Sequence, residues 1–361
     1  MGTFTPSLLL DDAELARCRE FLEPRANAAD RGDATFCDAA KFIAENVLGE
    51  NAGPPEAPNQ NLERVVSALA TIGWFDMGTA FSLWCQRMVL EFLSKAPSGS
   101  ACREEALDAL RRGERVGTSA MAGPMAHFVS GVPLTLKATP AENGEGYRIS
   151  GVVAWASNLA EGKSIIVSVA ARESGEPVVF ATPIEAPGIR IGSFSPLIAM
   201  QGTLSTSMTF EDVEVPASWV ITENFRDFMT AIRPIFLLLQ SSYCWGLAAR
   251  SVAESEQAAR GVAEVFRDEI TEAHERVERQ AERLLQVARA RCEGVSVPEL
   301  LDIRLEAAKL ATDCTSLESR VIGGRSYIAS CETSRRLREA LFLPVQAPTE
   351  GQLRWERSQY D

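Results

Sequence analysis

The sequence predicts an α+β chain in three blocks: an N-terminal helical domain, a central antiparallel β domain and a C-terminal four-helix bundle. Three observations carry that prediction. Apolar residues recur at helical spacing in the first and last thirds, short β-branched runs separated by turn residues fill the middle, and two glycine-marked strand segments stand inside that middle block. The boundaries fall at residues 1–115, 116–216 and 217–361.

In the first block, Leu62, Val65, Val66, Leu69 and Ile72 step by three and four, and Gly73 is expected to break the run. A second apolar helix is expected through Leu83, Met88, Leu90 and Leu93. Residues 49–58, rich in Gly and Pro, read as an exposed loop. Residues 105–114 end a helix at Gly113, after two arginines that suit the negative end of its dipole.

The middle block has strand-like runs at residues 134–139, 147–155, 165–171, 178–182 and 206–210, with turns at Glu142-Asn143-Gly144 and Ala186-Pro187-Gly188. Roughly a hundred residues suit one sandwich or barrel. In the last block, one stripe runs Val262, Phe266, Ile270, Ala273, Val277, Ala281 and Leu284. After a loop at residues 292–298, a second runs Ile303, Ala307, Leu310, Cys314, Leu317 and Val321. Joined by so short a loop they form an antiparallel pair, and with a helix near residues 235–249 they suggest a bundle.

Composition narrows the function. The 361 residues are 46% hydrophobic and 24% charged, as in folded globular proteins rather than disordered ones. A net charge of -13 disfavours nucleic acid and anionic membranes as partners. No apolar run reaches the ~18 residues of a membrane span. Residues 1–5 lack the basic-then-apolar pattern of a signal peptide. Eight cysteines are scattered without a C-x-x-C pair, beside only two histidines. Metal is therefore not expected, and the thiols read as small buried hydrophobes in a reducing cytoplasm.

Two segments carry chemistry. Residues 147–158 read Tyr-Arg-Ile-Ser-Gly-Val-Val-Ala-Trp-Ala-Ser-Asn: a strand, a glycine turn and a second strand that sets an indole, a hydroxyl and an amide side by side. Residues 202–216 read Gly-Thr-Leu-Ser-Thr-Ser-Met-Thr-Phe-Glu-Asp-Val-Glu-Val-Pro, an alternating strand ending at an acidic turn and a proline. A small sheet presenting such groups between helices suits a large planar cofactor. Together the segments resemble the middle domain of the acyl-CoA dehydrogenase superfamily of flavoproteins. There a Tyr-x-(Ile/Leu)-x-Gly-x-x-x-Trp segment packs on the flavin and a Gly-x-x-x-(Ser/Thr)-x-x-x-Phe-x-Asp-Val-x-Val-Pro segment closes the sheet. The order of blocks extends the resemblance over residues 62–354.

The resemblance implies an FAD cofactor, with Trp155 on the ring and the Ser157 hydroxyl near N5, the atom that accepts hydride. Residues 117–124 stand where the family has a Thr-Glu-Pro loop. Its small residues would let backbone approach the ligand, and Ser119 and Met121 are the candidate contacts. In residues 320–327, Gly323 and Gly324 match the family's Gln-x-x-Gly-Gly-x-Gly-Tyr segment under the adenosine half of FAD. Arg320 replaces the Gln and Ser326 the last Gly, and an arginine there suits a phosphate.

The departures concern the base. The family's Tyr-Glu-Gly-Thr glutamate falls on Ala347, and the alternative position, just before a helix arginine, is Ile232 ahead of Arg233. Glu350 and His127 are the remaining candidates for acid-base work. The family's Arg-x-x-Phe-Gly cofactor segment is absent, since Arg260 and Phe266 have the wrong spacing.

Three functions follow. One is an FAD oxidoreductase acting on an acyl thioester or related small molecule with a displaced base. Another is a flavin-dependent monooxygenase that uses reduced flavin and oxygen, needs no α-proton base and would employ Ser157 in the oxygen chemistry. The third is a catalytically inactive partner subunit. Lys137 and Lys163 are the only lysines of the β block, so a carrier-protein thioester stands beside CoA as a substrate form. The resemblance also implies a homodimer or homotetramer packed through the C-terminal bundle.

Overall fold

The computed structural model describes residues 10–49, 61–142 and 144–360. The signal-peptide reading of residues 1–5, the loop at residues 50–58 and Asn143 of the expected turn lie outside them.

The N-terminal block is helical: α1 (Asp12–Leu22), α2 (Ala26–Arg31), α3 (Phe36–Ile43), α4 (Leu62–Phe75), α5 (Met77–Ser94) and α6 (Ala101–Arg111). The apolar stripe of α4 is buried as its period predicts, but Gly73 does not break it. A Cβ at Gly73 would stand 2.8 Å from the Tyr243 carbonyl, so this glycine admits a neighbouring helix instead. The break comes at Asp76, whose side chain accepts the Thr79 N–H at 3.0 Å and caps α5. Every residue of α5 is buried, which makes it the central helix of the fold.

The middle block is a mixed sheet. Its members are β1 (Val116–Ser119), then helix α7 (Ala122–Ser130), β2 (Leu136–Pro140), β3 (Tyr147–Ala156), β4 (Ser164–Arg172), β5 (Val178–Pro183), β6 (Ile189–Ile191), β7 (Thr206–Val215) and β8 (Val220–Thr222). The order is β6-β7-β3-β2-β4-β5-β8, with β1 beside β4. The expected all-antiparallel arrangement is corrected here, because β4 runs parallel to both β1 and β2. The reason is β1: Val-Gly-Thr-Ser, buried over its first three residues, with no alternation to announce a strand. It lies so close to α5 that a Cβ on Gly117 would meet the Val89 side chain at 2.7 Å. The small-residue loop expected over residues 117–124 is accordingly the end of β1 and the first turn of α7. β8 extends the sheet past residue 216.

The C-terminal block holds α8 (Phe225–Ala258), α9 (Arg267–Arg289), α10 (Val297–Ile322), α11 (Glu332–Ala340) and α12 (Glu350–Arg357). Both predicted stripes face the core, with one correction. Val262 lies in a 3₁₀ turn, Gly261–Phe266, and is 96% exposed. The preceding helix ends at Ala258 and Gly261, at φ +59, opens this turn, so the stripe of α9 begins at Ile270. Cys18, Cys85, Cys102, Cys244 and Cys314 are buried, whereas Cys37, Cys292 and Cys331 are half-buried. Among the described residues no helix is long and apolar enough to cross a membrane.

Candidate functional site

Two register shifts interrupt the β3–β7 ladder, and the second spans Val153 to Ala156. Trp155 sits in it. A bulge re-aims the side chain it contains, and the indole is left 45% exposed on a strand whose next residues are buried. It borders an apolar cleft of about 210 Å³ with Phe81 of α5, Met200, Phe342 and Val345. Thr203, Ser205 and Arg338 supply its polar lining, and among the described residues no carboxylate or imidazole borders it.

Behind the indole the hydroxyls are linked. Ser157 Oγ and Ser205 Oγ are 2.7 Å apart, and Ser205 Oγ is 2.7 Å from Thr203 Oγ1. Thr203 Oγ1 donates to the Met200 carbonyl at 2.8 Å. Asn158 donates through Nδ2 to the carbonyls of Ser82 at 2.9 Å and Gly117 at 3.0 Å, tying β3 to α5 and β1. Its Oδ1 is buried without a protein partner, and so is Ser119 Oγ at the end of β1.

The backbone around this row is strained. Asn158 (φ 60), Met200 (φ 63) and Leu204 (φ 48) all adopt left-handed conformations that non-glycine residues avoid. They meet at one place, since Asn158 N–H donates to Thr203 O at 2.8 Å and Leu159 N–H to Leu204 O at 3.2 Å. The turn is held from outside: Asp30 accepts the Met200 N–H at 2.9 Å, and Arg338 bridges Asp30 and the Ile198 carbonyl at 2.7 and 2.8 Å. Strain concentrated and buttressed in this way marks functional sites more often than ordinary loops.

The structure thus sets Trp155 on a cleft and buries Ser157 behind it, bonded to the cleft residue Ser205, with Ser119 at the end of β1. It places the other candidates elsewhere. Met121 is buried in the helical core at the start of α7. His127 bonds through Nδ1 to the Val132 carbonyl at 2.9 Å and lies against Phe225, outside the cleft lining. Glu350 begins α12 and pairs with Arg354 at 2.7 Å on the solvent side. Arg320 pairs with Glu269 at 2.6 Å and stacks over Phe266. Gly323 and Gly324 end α10 with nothing of this chain within reach of an added Cβ, beside a 96% exposed Tyr327.

A second cleft, about 280 Å³, opens between α7 and α12, lined by Met125, Val129, Gln352, Trp355 and Glu356. Glu356 pairs with Arg233 of α8 in a largely buried ion pair. Burial pushes the Glu356 carboxyl above the ordinary glutamate range, and the Arg233 charge only partly offsets it. Arg233 also stacks on Phe128, and its Nε is buried without a partner. Sequence reading passed over Glu356. The available signal was Arg233, a charge set among Ile232, Pro234 and Ile235 that demands a buried counter-ion.

The sequence matches no protein-family model and no curated protein. Solved structures do match. Butyryl-CoA dehydrogenase from Megasphaera elsdenii superposes with a TM-score of 0.84 at 15% identity, covering 98% of this chain and 99% of its own. A glutaryl-CoA dehydrogenase from Mycobacterium smegmatis in complex with FADH2 gives 0.83 at 15% identity over 98% and 95%. KijD3 in complex with dTDP gives 0.78 at 18% identity over 96% and 94%. The chain has the acyl-CoA dehydrogenase fold.

Proposed function

We propose that this protein is a flavin-dependent oxidoreductase whose ring-binding site is the cleft beside Trp155, acting on an acyl thioester or a related small molecule. The observation that carries the reading is the half-exposed indole in a bulge, backed by the buried hydroxyl of Ser157. Ser119 Oγ and Asn158 Oδ1 are also buried and unpartnered, but neither residue borders this cleft. Bound flavin would supply hydride or electron transfer. The chain's own part is to present a flat apolar face at Trp155, to fix a hydroxyl at Ser157, and to exclude water with Phe81, Phe342 and Val345.

Removal of an α-proton would need a base, and neither proposed candidate borders this cleft: Glu350 is paired outward to Arg354 and His127 to a backbone carbonyl. That favours a second reading, oxygenation by reduced flavin, which needs no carboxylate there. The purified protein is to be mixed with FAD, gel-filtered and scanned in the visible range. Retained flavin bands support the oxidoreductase; bleaching by acyl thioesters under anaerobic conditions selects dehydrogenation. Oxygen consumption only with supplied reduced flavin selects oxygenation. A protein that binds neither flavin form contradicts both.

A further inference from the structure

Three carboxylates and two guanidinium groups meet around α11, behind the turn at Met200. Asp76, Arg335 and Glu339 are 1, 3 and 1% exposed. Arg335 donates to Glu339 at 2.8 Å and to the Phe75 carbonyl, next to Asp76, at 3.3 Å. One guanidinium therefore serves two carboxylates. Asp30 of α2 pairs with Arg338, the residue before Glu339, at 2.7 Å. Arg336 does not join the cluster. It is bonded to Glu318 of α10 at 2.9 Å, with Glu332 on its outer side and Glu254 of α8 nearby. Three negative groups against two positive ones leave an excess charge in an interior that penalises it.

The hydrogen bonds show which group relieves that excess. Asp76 accepts the Thr79 N–H at 3.0 Å and the Thr79 hydroxyl at 2.6 Å, at the positive end of α5. Glu339 has Arg335 on one oxygen only, and its Oε2 is buried with no partner. Stranding an anionic oxygen costs more than stranding a neutral one. Burial raises both carboxyls above their ordinary ranges. The Thr79 bonds draw Asp76 back, whereas Asp76 and Asp30 push Glu339 further up against the pull of Arg335.

We infer that Glu339 holds a proton in the folded protein and that its ionisation loosens the Met200 turn of the Trp155 cleft, a pH-sensitive device built into α11. The route is short. Asp30 accepts both the Met200 N–H and Arg338, and Arg338 also holds the Ile198 carbonyl and borders the cleft. An ionised Glu339 sets an uncompensated negative charge beside Asp30 and competes for the same guanidinium groups. Like charges in a low-dielectric interior repel strongly, so the bonds that hold Met200 weaken. The device acts on the cleft whatever the cleft binds.

The test is hydrogen exchange at Met200, followed by mass spectrometry on the whole protein between about pH 6 and 9 and corrected for the intrinsic pH dependence of exchange. Protection in the parent is expected to fall at least about fivefold as pH rises, the low end of ordinary coupling between sites. Glu339→Gln, an uncharged mimic of the protonated acid, is expected to keep its protection throughout. Urea midpoints give a second reading. A raised carboxyl stabilises fully below the ordinary glutamate range and loses that contribution as pH climbs through the raised value. The folding constant of Glu339→Gln should therefore gain on the parent by up to about tenfold per pH unit above the ordinary range. If Glu339→Gln does not fold, Glu339→Met takes its place in both measurements. Protection at Met200 that is flat in the parent, or that falls as far in the variant, would overturn the inference. So would a gap in urea stability that stays constant with pH, because Glu339 would then be ionised throughout.

Discussion

The two clefts handle buried polarity in opposite ways. Beside Trp155 a row of neutral hydroxyls on a strained turn is bonded end to end, next to the Arg338–Asp30 pair that buttresses the turn. Between α7 and α12 the polarity is a full ion pair, Arg233 and Glu356, on regular helices, with Arg233 Nε left over. Neutral hydrogen bonds are worth about 1 kcal/mol each and set direction, whereas a buried charge costs several kcal/mol to strand. The first cleft therefore holds its hydroxyls in fixed orientations. The second is built around a charge that the fold must keep paired.

Disrupting the pair should give the largest effect. Arg233→Met strands Glu356 and is expected to cost about 3–5 kcal/mol at neutral pH in urea unfolding. The double variant Arg233→Met, Glu356→Leu should recover most of that loss, because two apolar side chains need no partner. A double variant no better than the single would mean that packing around Arg233, rather than the charge, carries the stability.

How much of this was legible beforehand differs between the clefts too. Trp155, Thr203 and Ser205 stand in two short segments with a distinctive spacing, so that wall of the first cleft could be read from one dimension, whereas Phe81, Arg338 and Phe342 on the other wall could not. Glu356 and Arg233 are joined only by the packing of α12 on α8, and nothing local in either segment names the other. The helical stripes were legible for the same reason as the strands: period reports burial. Gly73 was misread because local propensity makes glycine a breaker, whereas here the close approach of Tyr243 requires it. β1 was missed because its first three residues are all buried and the strand shows no alternation. The residues from Ser157 to Thr203 lay in the quoted segments, but their linkage depends on the turn at Met200.

The pH dependence of the second cleft gives a smaller effect. The Glu356 carboxyl is raised, so its contribution to stability is full below the ordinary glutamate range and is lost as pH rises through the raised value. Glu356→Gln stays neutral and should remove that slope. Urea midpoints of both proteins between about pH 4 and 8 should show the variant gaining on the parent as pH rises. A constant gap would contradict the assignment.

The smallest effect lies outside both clefts. Burial lowers the proton affinity of His274, but its bonds to Glu256 at 2.7 Å and Glu278 at 3.2 Å outweigh this and raise it overall. Its contribution is present below the usual histidine range and lost as pH climbs through the raised value. His274→Gln should cost under about 1 kcal/mol at acid pH and nothing at alkaline pH, since the pair is partly exposed. Thermal melts at the two pH values check it.

The most direct test of the central claim is FAD titration of the parent protein and Trp155→Ala, followed by flavin fluorescence. Trp155 is half exposed and stands at the cleft rim, so its loss should leave the fold intact by circular dichroism. The account predicts that the parent binds FAD with quenched fluorescence, and that the variant binds at least tenfold more weakly, with the quenching relieved, for a lost aromatic contact of about 1.4 kcal/mol or more. Equal affinity and equal quenching in the two proteins would contradict the placement of the flavin ring at Trp155.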